Sequence, residues 1–215
     1  MRGSDATRVN VTLNGIPYND AESQGTFWVN LPDFASSVSQ IQLQRGVGTS
    51  TNGSSAFGAS LNVETLDLDL DAFSSIATSL GSFKTLKNTF QFSTGMLNDN
   101  FSFSGRLSQI NSDGYIDRAA SNLDSYFFQT AFQDDNTLIK ALIFGGHEIT
   151  YQSWYGIDKE ALVNNRTYNP AGEMYDESGD LSDFYSNQVD DYTCLLYTSD
   201  AADDLLCVDL GGRRI

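Results

Sequence analysis

The residues that could do chemistry are few, and most are wrongly spaced for it. Asp67, Asp69 and Asp71 have the alternating spacing of a calcium loop. Ala72, however, stands where such a loop needs glycine, and Thr78 where it needs the closing glutamate. The one histidine, His147, excludes a histidine-rich metal cage and leaves little for a triad-type hydrolase. Asp134 and Asp135 are adjacent, so on a strand they face opposite ways and at a turn they are solvated; neither arrangement makes an acid/base pair. Gly46-Val47-Gly48 lacks the third glycine and the opening helix of a dinucleotide fingerprint, and the chain has no Gly-Lys-Ser/Thr phosphate loop. No catalytic residue, cofactor or metal ligand is assigned.

The elements that would position a binding site begin with the composition. The chain has 215 residues, 12 basic and 28 acidic, with a net charge of −16. A surface of that sign repels a polyanion and argues against nucleic acid as a partner. The longest purely aliphatic or aromatic run, Ala141 to Phe144, is far short of the ~20 residues of a membrane-spanning helix. The N-terminus has no basic, apolar leader.

Residues 193–215 resemble a translated sequencing adapter, beginning around Cys194-Leu195-Leu196-Tyr197-Thr198-Ser199 and ending in Gly211-Gly212-Arg213-Arg214-Ile215. They are set aside as an artefactual tail. Both cysteines, Cys194 and Cys207, fall in it, so no disulfide or metal site is argued from them.

The rest reads mainly as strands. Val9, Val11 and Leu13 alternate with polar residues up to the turn Asn14-Gly15-Ile16-Pro17. A polar loop with two large aromatics follows, then Asn30-Leu31-Pro32-Asp33, the start of a short helix through Phe34, Ala35 and Val38. Strands are predicted over Ile41–Gln44 and Leu61–Thr65. From Leu66 to Leu80, Leu66, Leu68, Leu70, Ala72, Ile76 and Leu80 fall on even positions and Asp67, Asp69, Asp71, Ser75 and Ser79 on odd ones. Further alternating strands carry Leu86, Phe90 and Phe92; Phe101, Phe103 and Leu107; Tyr126, Phe128 and Phe132; and Leu138, Leu142 and Phe144. Polar turns at 97–100 and 133–136 are tight. The connection at 111–122 is longer, and that from Gly146 to Tyr192 runs over some forty residues. Ten-residue alternating strands with short turns on one edge and long loops on the other follow the outer-membrane barrel pattern, because only a closed barrel pairs every strand amide in lipid.

Ile41-Gln42-Leu43-Gln44-Arg45-Gly46-Val47-Gly48, the serine-rich turn through Gly53 to Gly58, and Leu61-Asn62-Val63-Glu64-Thr65 resemble the plug signature of TonB-dependent outer-membrane receptors. Arg2-Gly3 and Asn14-Gly15-Ile16-Pro17 match that family's upstream elements in order. Gln42, Val47, Asn52, Ala59 and Asn14 depart from the usual residues. The plug motif thus comprises Arg2, Gly3, Gly15, Arg45, Gly46, Gly53, Gly58 and Asn62.

The resemblance implies a mainly β chain: residues 1–66 as the C-terminal part of an α+β plug, and 67–192 as the first antiparallel strands and outer loops of an incomplete transmembrane barrel. It implies a fragment of a receptor in the cell outer membrane. Such a receptor takes up a scarce solute, such as an iron chelate, driven by the proton-motive force through TonB. Partners would be a small-molecule or chelate ligand, the TonB complex, whose contact segment is missing here, and outer-membrane lipid; no enzyme activity is implied. In the family the loop after Ile16-Pro17 faces outward, which makes Tyr18, Asn19, Asp20, Glu22, Gln24, Phe27 and Trp28 the ligand candidates, as stacking and hydrogen-bonding groups. Arg45 would be a buried, plug-locking residue. His147, Tyr151, Trp154 and Tyr155 would belong to a long outer loop. The competing reading is a secreted soluble β-rich module that binds carbohydrate or another surface partner.

Overall fold

The computed structural model describes residues 5–46, 57–151, 153, 155–199 and 207–208. Strands β1 (Val9–Leu13), β2 (Ile16–Pro17), β3 (Val38–Arg45) and β4 (Ala59–Thr65) form a mixed sheet in the order β2-β1-β4-β3. β1 and β4 pair in parallel, and the other pairs are antiparallel. Asn14 and Gly15, both at positive φ (50° and 82°), turn β1 into β2, a backbone state that asparagine and glycine adopt at least strain.

The second sheet is a meander of β5 (Ala72–Leu80), β6 (Leu86–Leu97), β7 (Phe101–Ser112), β8 (Ser121–Gln133) and β9 (Leu138–Thr150). After β9 the chain forms a helix, α1 (Lys159–Asn164), and a hairpin of β10 (Glu173–Tyr175) and β11 (Leu181–Phe184). It then returns as β12 (Gln188–Ser199), antiparallel to β9, with β13 (Cys207–Val208) beyond it. Among the described residues the sheet is open, in the order β13-β12-β9-β8-β7-β6-β5.

Four expectations are corrected. Residues 66–71 connect the two sheets, and the strand predicted from Leu66 starts at Ala72. The helix predicted from Asn30 is replaced by 3-10 turns at Trp28–Asn30 and Phe34–Ser37, because Asp33 between them sits at φ 51°, which no α-helix can continue. The long connection is shorter than predicted, because β9 and β12 extend into it from both sides. His147 therefore lies within β9 and not in a loop. Finally, β12 crosses the boundary drawn at residue 193 without interruption and pairs with β9 from Gln188 to Ser199.

Side-chain parity divides the meander into two faces. Ser102, Ser104, Arg106 and Ser108 of β7, Phe127, Gln129 and Ala131 of β8, and Leu142 and Phe144 of β9 are buried on the face that meets the first sheet. Phe34 fills this interface, its ring centroid 4.8 Å from Phe144 and 6.4 Å from Phe127. Leu13, Ile16, Leu31, Val63 and Cys194 complete the core. Contact with a packed domain explains why β8 and β9 are apolar on both faces and alternate poorly in sequence. Phe90, Phe101, Phe103, Leu107 and Ile143 lie on the opposite face and are exposed, which leaves that face of the sheet apolar.

Candidate functional site

Alternate connections of a meander leave from opposite edges. Turns 98–100 and 134–137 share one edge, and connections 81–85, 113–120 and 151–187 share the other. The first sheet is oriented along this axis. Pro32 lies against Gly146, and the Tyr18 and Tyr192 hydroxyls are 2.6 Å apart, both contacts within a few residues of the long-loop edge. Thr65 Oγ1 donates to Gln129 Oε1 at 3.2 Å, and Gln129 Nε2 donates to the Leu66 carbonyl at 3.2 Å, both nearer the tight-turn edge. The segment 18–34 is therefore presented toward the long loops.

Within that segment the predicted binding residues divide into two groups. Asn19 is spent on the fold: its Oδ1 accepts from the Val11 amide at 2.7 Å, and its Nδ2 donates to the Val9 and Gln24 carbonyls, each at 2.9 Å. Asp20 closes a turn, its Oδ1 accepting from the Ser23 amide at 2.7 Å, the Ser23 hydroxyl at 2.8 Å and the Glu22 amide at 3.1 Å. Tyr18 bridges to the wall. Glu22 and Gln24 are exposed, and the aromatic group of the loop tip is largely uncovered, Phe27 at 40% and Trp28 at 49% exposure. The side chains that hold the loop thus form one set, and those it offers outward form another.

The plug-motif residues play backbone and sheet roles. Gly46 has φ 77°, and a Cβ on Gly58 would lie 2.6 Å from the Arg8 carbonyl oxygen. Asn62 Oδ1 accepts from Thr12 Oγ1 at 2.9 Å across the parallel pair. Arg2, Gly3 and Gly53 lie outside the described residues. Arg45 is exposed on the edge strand β3, so it is not the buried lock expected of it.

The lock is elsewhere, and its polarity is reversed. Asp33, from the first sheet's domain, inserts its carboxylate against the wall. Oδ2 accepts from Arg106 Nη1 at 2.9 Å and from the Ser108 hydroxyl, and Oδ1 accepts from Lys87 Nζ and Ser36 Oγ, each at 2.6 Å. Arg106 is 2% exposed, and it also donates from Nε to Ser37 Oγ at 2.7 Å and from Nη1 to Ser125 Oγ at 3.2 Å. Burial alone would raise the Asp33 pKa. Hydrogen bonds from Lys87, Ser108 and Ser36 and the Arg106 charge outweigh it and hold the carboxyl below the ordinary carboxylate value. The sequence carried a signal for this: Arg106 is a charge among serines on the face opposite the exposed aromatics. Asp33 gave none, because its surroundings read as the start of a helix.

A second cluster orders the outer loops. Arg118, at φ 62°, donates to the Asn169 and Ala171 carbonyls, and its guanidinium lies 3.9 Å from the Phe184 ring centroid. Asn169, 1% exposed, donates to the Asp117 carbonyl at 3.0 Å. The long connection 151–187 is thereby tied to the loop 113–120.

No family model and no curated protein matches the chain. Solved structures do. The ferripyoverdine receptor of the outer membrane of Pseudomonas aeruginosa superposes with TM-score 0.60 at 12% identity, over 88% of this chain and 25% of that one. The ferric yersiniabactin uptake receptor of Yersinia pestis gives 0.59 at 17% identity, over 90% and 30%. The ferric-catecholate import receptor of E. coli, in an open form, gives 0.62 at 16% identity, over 93% and 29%. The chain therefore has the fold of outer-membrane receptors, and it spans less than a third of their length.

Proposed function

We propose that this chain is the C-terminal part of the plug and the first barrel strands of a TonB-dependent receptor in the cell outer membrane. The receptor imports a ferric chelate and is energised through TonB by the proton-motive force. The reading rests on one observation above the others: a small mixed sheet is seated on the inner face of an outwardly apolar meander, with its aromatic loop turned toward the long loops. Among the described residues, Phe27, Trp28, Glu22 and Gln24 are the predicted ligand groups left exposed on this loop for a solute arriving from the long-loop side. The similar solved receptors are named for ferric chelates, which supports the same solute class. Transport in this reading consists of capture of the solute and displacement of the plug. Such displacement has to break the ion-paired contact at Asp33 or carry it along, together with the Tyr18–Tyr192 and Thr65–Gln129 contacts.

The test is uptake by the complete receptor that contains this chain, expressed in cells lacking their own chelate receptors. Radioactive iron should enter with at least one of a panel of ferric chelates, and a protonophore should abolish entry. A protein that purifies as a monodisperse soluble species without detergent would instead establish the secreted binding module.

A further inference from the structure

On the inner face of the wall, one rung beyond the plug contact, lies a carboxylate whose charge is not balanced. Cross-strand pairing sets Gly146 of β9 opposite Tyr192 of β12 and, one step nearer the long-loop edge, Glu148 opposite Asp190. The first pair meets the plug, through Pro32 at Gly146 and Tyr18 at Tyr192. The second pair is about 7 Å further along the strands, at about 3.3 Å per residue. It stands at the margin of the plug, on the side of the long loops.

Glu148 is 6% exposed. Its cross-strand neighbours are Leu123 on one side and Asp190 on the other. Among the described residues its carboxylate has no hydrogen bond or ion pair, and the charge that acts on it is the like charge of Asp190. Asp190 is exposed, and its Oδ1 accepts from the Asp191 amide at 3.0 Å. Lys87 shares the rung, but it is three strands away and is held by Asp33. Like charges set opposite each other weaken a sheet, and a buried carboxylate without a partner is costly. A cation seated between the two removes both penalties.

We propose that Glu148 and Asp190 form a subsite for a cationic arm of the imported chelate, an ammonium or a guanidinium. Either group carries several donors and can engage both carboxylates at once. A chelate with an anionic periphery meets repulsion at the same place. Trp28, 49% exposed on the turn that packs against β12, adds an aromatic surface from the plug side.

The inference deepens the transport reading and rests on it, and the experiment separates the two. Every ferric chelate of the uptake panel is supplied to the complete receptor in two forms. One carries a free terminal amine, and in the other that amine is acetylated, which leaves the iron-binding groups unchanged. Initial uptake of radioactive iron is compared below saturation, and the melting temperature of each variant is measured in detergent.

The expected result is faster uptake of the amine form by about tenfold, the size of a hydrogen bond to a charged group. Glu148→Gln should bring the ratio close to one without lowering the melting temperature, because it removes an unbalanced buried charge. Asp190→Asn, at an exposed position, should lower the ratio in part. Equal uptake of both forms overturns the subsite and leaves the transport reading intact. A sharp fall in melting temperature with Glu148→Gln also overturns the subsite, since the carboxylate is then paired with a cation of the receptor itself. Uptake of neither form of any chelate overturns the transport reading and the subsite with it.

Discussion

Replacing Asp33 with asparagine keeps the shape of the plug–wall contact and removes its charge. Arg106 is then a buried cation whose remaining partners are the Ser37 and Ser125 hydroxyls. Removing one partner of a buried ion pair costs about 3–5 kcal/mol, because the other charge stays desolvated. Lys87, whose side chain is 30% exposed, can turn to water and adds at most about 1 kcal/mol. Asp33→Asn should therefore destabilise plug attachment by about 3–5 kcal/mol, and Lys87→Met by about 1 kcal/mol or less. Asp33→Leu combined with Arg106→Met should recover most of the loss, since an apolar pair needs no compensation.

The assay is urea-driven release of the plug in the detergent-solubilised complete receptor, followed by fluorescence of Trp28 at the loop tip. The same contact sets a pH dependence. The Asp33 carboxyl is held below its ordinary value in the folded protein, so its contribution is complete above the ordinary carboxylate pKa of about 4. It is lost only as pH falls from there through the lower, folded-state value. Attachment should be flat from neutrality to that point and weaken below it, and Asp33→Asn should show much less of this acid-side loss. A cost for Asp33→Asn no larger than that for Lys87→Met would refute the argument that Arg106 depends on this carboxylate.

Other contacts make separate predictions. A Cβ on Gly146 would lie 2.5 Å from Pro32 Cγ and 2.3 Å from the Asp124 carbonyl oxygen. Gly146→Leu should therefore push the plug off the wall and raise permeability of the outer membrane to large antibiotics, measured as a lower inhibitory concentration. Phe34→Ala removes a ring packed between Phe127 and Phe144 and should destabilise the plug by about 3–5 kcal/mol in the same urea titration. Arg118→Ala frees the carbonyls of Asn169 and Ala171 from their donor, so limited chymotrypsin digestion should cut the hairpin near Tyr175 or Phe184 faster while the wall stays intact. Trp28→Ala should weaken chelate binding about tenfold or more if the loop tip is the capture surface, since buried aromatic anchors dominate such sites; unchanged affinity would move the site to other loops.

Local chemistry was legible in the linear sequence. Alternation placed β6 and β7, because a strand with unlike faces has to repeat every two residues. Asn14-Gly15 announced its turn, because few residues tolerate two successive positive φ angles. The unequal connections separated the two edges of the meander except at 81–85, a short connection on the long-loop edge, and the glycine motif carried the resemblance to a plug.

What the tertiary structure decided were matters of juxtaposition. Asp33 resembled part of a helix's first turn until Arg106, seventy-three positions away, claimed its carboxylate and its backbone turned left-handed. Gly146-His147 resembled the start of a loop until close packing of Gly145 against Tyr192 and of Gly146 against Pro32 explained the glycines and kept β9 extended. Asn19 and Asp20 resembled ligand groups until nearby amides absorbed them. In each case the deciding partner lies on another segment or a neighbouring turn. A polar side chain's role is set by whichever donor or charge folding brings within about 3 Å of it, a distance that no local pattern encodes.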